Sequence, residues 1–204
     1  MNVRTLLFIT VLFASCTKEE SLEITDNSGA VNADKLKGTY TFINMQAHTN
    51  GTIEVTDGTD IEKMVTISDY ITKDNVGSVV IDAGKFTILN MGYSVDTVAK
   101  GYYYINGVLD DSMEADFQFT APPLSSVAPY KLVGTDSLYF TGGLINAPSG
   151  GGGVATPESK ARYAFSGDTL LLYQGYYNKT TTTQGGVKIT QTDVGTFTMK
   201  LKKK

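Results

Sequence analysis

Enzyme chemistry requires groups that attack, move protons or hold a metal, and this chain of 204 residues has few of them. It carries one Cys (Cys16), one His (His48) and no Trp. A single Cys makes no internal disulfide and supplies no CxxC zinc or redox site. A single His makes no multi-histidine metal centre. His48 precedes Thr49-Asn50-Gly51 at an expected hairpin end, where a lone His is usually solvated. A Ser-His-acid triad would have to recruit it, and no Gly-x-Ser-x-Gly elbow occurs. Of the acidic pairs, Glu19-Glu20 lies near the N-terminus and Asp110-Asp111 follows the expected turn at Asn106-Gly107. Asp57-Gly-Thr-Asp60 lacks the remaining ligands of a calcium loop. The expectation is a non-enzyme with no catalytic residues, no metal site and no cofactor. With 17 Lys and Arg against 21 Asp and Glu, the net charge of −4 also disfavours nucleic acid as a partner.

Tyrosines are the other chemistry-bearing groups, clustered at Tyr102-Tyr103-Tyr104 and Tyr176-Tyr177. Neighbouring residues of a strand face opposite sides, so each cluster sends at least one ring away from the core. Tyr102, Tyr104, Tyr176 and Tyr177 are therefore the candidate ligand-binding residues. Inside a barrel they would line a site with rings and hydroxyls; outside, they would stack on sugars or a partner protein. The competing reading is that Tyr simply suits strands. Four Asp-Ser/Thr-apolar tripeptides, at Thr97, Ser112, Ser137 and Thr169, are similar to the O-glycosylation sequon of Bacteroidetes envelope proteins. Turn chemistry, in which Asp caps a turn and Ser or Thr opens a strand, accounts for them equally well.

The elements that must position these groups read as short strands. From about Leu36 onward the hydrophobic period is two: Met113-Glu-Ala-Asp-Phe-Gln-Phe119 alternates strictly, as do the stretches around Tyr163 and Phe197. Such alternation marks a sheet with one buried and one wet face. Abundant Thr and Tyr favour strands, and 21 Gly supply turns and bulges. Turns are expected at Asn50-Gly51, Asp57-Gly58, Asn106-Gly107 and Gly167-Asp168. The expected strands are 38–48, 62–72, 78–90, 93–105, 112–120, 130–141, 160–166, 169–177, 186–193 and 195–202. Only Thr59 to Tyr70 shows any sign of a helical turn. Two connections stand apart: Pro122-Pro123 through Pro129, and Asn146 to Pro157 with four consecutive glycines, which reads as a hairpin tip or a flap at a barrel mouth. No repeat is evident. The fold class is all-β, one antiparallel up-and-down barrel, with a β-sandwich as the alternative.

The N-terminus sets the location. Arg4 precedes the apolar run Leu6–Ala14, too short for a bilayer span of about 20 residues but right for a signal-peptide core. Leu12-Phe-Ala-Ser-Cys16 resembles a bacterial lipobox, in which the Cys is acylated and becomes the new N-terminus; an ordinary cleaved secretory signal is the alternative. Lys18-Glu-Glu20 looks like the export signal of Bacteroidetes-type surface lipoproteins. The division is then a lipoprotein signal peptide at 1–15, lipidated Cys16 with a flexible acidic tether over 16–34, and a barrel domain over 35–204. The resemblance implies an outer-membrane protein, lipid-anchored and surface-exposed.

Within the domain, Leu36-Lys-Gly-Thr-Tyr40 resembles the opening strand of lipocalin-like (calycin-type) domains, whose Gly-x-Trp closes the barrel base; Tyr40 stands in place of the Trp. Tyr163 to Leu172 resembles a hairpin of lipocalin-like Bacteroidetes lipoproteins, and Gly195 to Lys202 their final strand. The resemblance implies an up-and-down barrel of lipocalin-like type that binds a small apolar or glycan ligand at the cell envelope. The membrane, through the anchor, and that small ligand are the expected partners, and the chain is expected to be a monomer. The alternative is a barrel filled with its own Phe, Leu and Met side chains that serves as a structural or protein-interaction domain.

Overall fold

A computed structural model of the chain describes residues 34–141 and 158–204. The signal peptide, Cys16, all of the tether except Asp34, and the Gly-rich stretch 146–157 lie outside the described residues. Within them a helical turn at Asp34–Leu36 leads into nine strands. These are β1 (Gly38–Asp57), β2 (Asp60–Ile71), β3 (Lys73–Ile81), β4 (Lys85–Ile105), β5 (Val108–Val133), β6 (Ser137–Phe140), β7 (Ser159–Ser166), β8 (Thr169–Gln184) and β9 (Val187–Lys203).

All pairings are antiparallel, and neighbours in sequence are neighbours in the sheet, except that β2 and β3 share one place. β1 pairs β3 from Gly38↔Ile81 to Thr41↔Ser78, then β2 from Gln46↔Ile71 to Asp57↔Asp60. β4 does the same on the other side. The break between them is buried Thr72: its hydroxyl accepts from the Met45 amide at 2.8 Å, and its amide donates to the Met45 carbonyl at 2.9 Å. This keeps the interrupted strand attached to β1. The sheet closes into a ring where β1 pairs β9 along most of its length, from Tyr40↔Lys203 to Thr56↔Lys188. It is one closed sheet, not the two packed sheets of a sandwich.

Several expected boundaries move. Asn50-Gly51 is not a turn but lies inside β1, paired with β2 on one side and β9 on the other. The turn comes at Asp57–Asp60. In the stretch Thr59 to Tyr70, Thr59 belongs to the turn and Asp60 onward is strand, with no helical turn. The expected strand 78–90 is split by the turn at residues 82–84, and its two parts belong to β3 and β4. Asp110-Asp111 and Pro122-Pro123 fall within β5, not in a turn or an irregular connection. The prolines sit where the β4–β5 register shifts between Met91↔Leu124 and Tyr93↔Ala121, a bulge at which a missing N–H breaks no ladder bond. The turns at Asn106-Gly107 and Gly167-Asp168 are where the sequence puts them.

Length sorts the strands into two zones. At the base, where β1 begins and β9 ends, every strand except β2 takes part and the ring is closed. β6 and β7 are short, and β5 pairs β6 only from Tyr130 to Val133. Above them, β5, β4, β2, β1, β9 and β8 continue as a curved six-stranded sheet whose hairpins all project to the same end. The inward face is apolar at the base, while outward positions such as Thr41, Thr198, Lys200 and Lys202 are polar. Higher up the outward face is mixed, with Ile71, Val98, Tyr173, Tyr177 and Val194 exposed.

Candidate functional site

The interior has two tiers. In the lower, Leu36, Tyr40, Phe86, Leu138, Phe140, Leu170 and Leu201 are fully buried. Phe86 meets Phe140 edge to face, ring centroids 5.7 Å apart at 87°. Tyr40 sits at the base. Its hydroxyl donates to the Leu36 carbonyl at 2.9 Å, and the Lys203 ammonium lies 5.8 Å from its ring centroid. Lys203 also donates to the Lys35 carbonyl at 3.3 Å, so the last strand and the turn before β1 shut the base together. Eight strands enclose an interior that side chains just fill, and in this tier they fill it.

The upper tier is built from two adjacent cross-strand rows. One runs Tyr70↔Ala47↔Phe197↔Gln174, the other Ser68↔Thr49↔Gly195↔Tyr176. Tyr176 lies flat on Gly195, because a Cβ there would overlap its ring, and it stacks on Phe197 at 5.3 Å and 15°. Across the interior, Tyr93 meets Phe42 and Phe119, each at 6.3 Å, and Tyr70 meets Phe117 at 6.4 Å. Burial pushes the phenol of Tyr70 well above its ordinary pKa, and the nearby Tyr93 and Tyr176 oxygens add to this. Burial likewise raises Tyr93, and raises Tyr176 with help from Asp193. All three therefore stay protonated as neutral hydrogen-bond donors near pH 7. Between them are two buried polar side chains, Ser68 at 7% and Gln174 at 6% exposure, and neither Ser68 Oγ nor Gln174 Oε1 has a hydrogen-bond partner.

Of the four tyrosines singled out from the sequence, Tyr176 alone stands inside. Tyr102 and Tyr104 occupy outward register positions of β4, Tyr104 with the Lys63 ammonium 5.8 Å from its ring, and Tyr177 is 64% exposed. The middle ring, Tyr103, is the inward one of its cluster, its phenol held up by a hydrogen bond to Glu62. The four do not form one site. The residues that do come together, Ser68, Tyr70, Tyr93 and Gln174, were not singled out. The signal available for two of them was a polar residue at an inward position of an otherwise alternating strand. His48 lies on the outer face, its Nδ1 2.7 Å from Asp69 Oδ1 with both side chains exposed. At the four sequon-like tripeptides, Ser137 donates to Asp136 at 2.9 Å and Thr169 to Asp168 at 3.4 Å. Thr97 donates to the Asp69 carbonyl at 2.8 Å, and the Ser112 amide to Asp111 at 2.7 Å. Among the described residues no group of three or more His, Cys, Asp or Glu could hold a metal ion, and no helix is long and apolar enough to cross a membrane.

Gly195→Ala tests the geometry of the stack. The added methyl should drive the Tyr176 ring off Phe197, at an overpacking cost of about 1–3 kcal/mol, with loss of tyrosine near-ultraviolet circular dichroism. An unchanged spectrum would show that Tyr176 does not rest on Gly195.

No family model and no curated protein matches the chain. Among solved structures, the crystal structure of Ail, the attachment invasion locus protein of Yersinia pestis, aligns at 8% identity over 80% of this chain and 99% of that one, with a TM-score of 0.17. At that score the likeness carries no argument about fold or function.

Proposed function

We propose that the chain is an envelope lipoprotein, anchored to the outer membrane through acylated Cys16 and displayed at the surface, whose lipocalin-like barrel binds a small ligand without catalysis. The observation that carries the binding reading is the upper tier. There a tyrosine-lined interior holds buried Ser68 and Gln174 without partners, above a base that is already full. Ligand sites combine apolar and aromatic walls with a few placed polar groups in this way. The lipocalin-like type is supported by Tyr40, which occupies the base-closing position that the family gives to Trp, and by the up-and-down closure of β1 on β9.

Two measurements test the reading. Native mass spectrometry of the purified protein should show a co-purifying small molecule, or ligand screens should raise its melting temperature; neither effect would turn the reading to an interaction domain. That second reading is favoured by one observation, the completely packed lower tier. For the anchor, Cys16→Ala is expected to move the protein out of the detergent phase in phase partition, or to leave the precursor uncleaved. Unchanged partition would remove the lipid from the proposal.

A further inference from the structure

We propose that the upper tier binds a small neutral polyhydroxylated ligand, a sugar ring or polyol, with its hydroxyls on Ser68 and Gln174 and its apolar face on the Tyr176–Phe197 stack. Such a ligand is one case of the binding module proposed above, and the assignment rests on that reading.

Three features choose this chemistry over an apolar one. The first is the pair of buried side chains without partners. An amide oxygen and a hydroxyl held in an interior with nothing to bond lower stability, and both stand at inward register positions of the same tier. A ligand hydroxyl satisfies either, because it donates and accepts; an alkyl chain satisfies neither. The second is depth. Phe86, Leu138, Phe140 and Leu170 fill the interior below, so no channel remains for a long acyl chain. To the floor between the walls β1 contributes only the small residues Ala47, Thr49 and Gly51, over which a single ring would lie. The third is charge. Lys63, Lys100, Lys179 and Lys188 on the surrounding strands stand at outward register positions. The inward carboxylate beside the tier, Asp193, accepts from Gln191 Nε2 at 2.9 Å. A fatty-acid carboxylate or a phosphate would meet that negative charge and no cation. A neutral ligand meets protonated phenols and flat aromatic faces, against which the C–H face of a sugar packs.

The purified full chain is titrated with glucose, galactose, N-acetylglucosamine, cellobiose and inositol, with sodium laurate as the apolar comparison, by calorimetry and intrinsic tyrosine fluorescence. At least one polyol or sugar is expected to saturate the protein at millimolar concentration or below. Gln174→Leu and Ser68→Ala should each weaken that binding by about tenfold or more. Each should also raise the melting temperature of the unliganded protein by about 2–4 °C, because a buried polar atom without a partner is removed. Loss of affinity with gain of stability distinguishes a ligand contact from a structural one. Binding of laurate without any sugar or polyol would overturn this chemistry and leave the binding module standing. No binding of either kind would overturn both. Sugar binding that both variants retain would overturn the location. If Gln174→Leu does not fold, Ser68→Ala gives the same two readouts.

Discussion

Gly77→Ala is expected to lower the stability of the barrel by about 3 kcal/mol or more, a large share of the 5–15 kcal/mol typical of a domain. Gly77 has φ +103°, which a side chain rarely adopts, and its Cβ would come within 2.5 Å of the Asn90 carbonyl oxygen and 2.6 Å of Met91 Cα. Those are backbone atoms of the adjacent strand, so no rotamer change relieves the clash, and β3 and β4 must part. The site of the clash is a double irregularity, where the register slips around Val76 on β3 and between Ile88 and Met91 on β4. The slip has a purpose in the fold. Below it the inward residues of β4 are Phe86 and Ile88; above it they are Met91, Tyr93 and Val95. Without the extra residue Tyr93 would face solvent, and the upper tier would lose one of its three phenols. Urea unfolding should show a lower midpoint at an unchanged slope. A loss under about 1 kcal/mol would mean that the two strands are not in the close contact described.

The fold was legible wherever one face of a strand is wet. Phe117, Phe119, Tyr163, Phe165, Leu170, Leu172, Phe197, Met199 and Leu201, read inward from alternation alone, all stand at inward register positions. The errors fell where a local signal met a non-local constraint. Asn50-Gly51 reads as a hairpin turn, yet β1 is hydrogen-bonded on both edges at that point, and two ladders outweigh one dipeptide. Pro122-Pro123 reads as a break, yet it occupies a bulge in the part of β5 that, among the described residues, pairs only with β4.

The site was less legible than the strands. Adjacent tyrosines fixed that each cluster must face both ways, but not which ring faces in, because register decides that and register comes from the partner strand. Tyr176 is inside because Gly195 stands opposite it and leaves its ring a place to lie. Tyr103, not its two neighbours, is inside because it pairs with Met64 in the row next to Thr66↔Gly101. Ser68 and Gln174 looked like ordinary polar strand residues. Their meaning appears only when closure of the ring puts both on the concave face without a partner.

Phe140→Ala is expected to be the most damaging single truncation of the base, costing about 3–5 kcal/mol. Phe140 is fully buried, ends the short strand β6, and touches both Phe86 at 5.7 Å and Tyr130 at 6.2 Å. Short β6 and β7 offer little backbone that could shift into the void, so the cavity should persist and the whole transfer and cavity cost should appear. Phe86→Ala should cost a comparable amount, and the double variant less than the sum, with about 0.5–1.5 kcal/mol assigned to the edge-to-face pair. Unfolding midpoints in urea measure all three. The outcome also bears on function, since the full lower tier is what confines a ligand to the Tyr70–Tyr93–Tyr176 level. A dry, apolar void at the base of the Phe140→Ala variant should take up benzene, as engineered core cavities do, while sugar or polyol binding above it stays unchanged in the folded fraction. A cost below about 1 kcal/mol would mean that the base is loosely filled, and an acyl chain would then fit where a ring-sized neutral ligand is proposed.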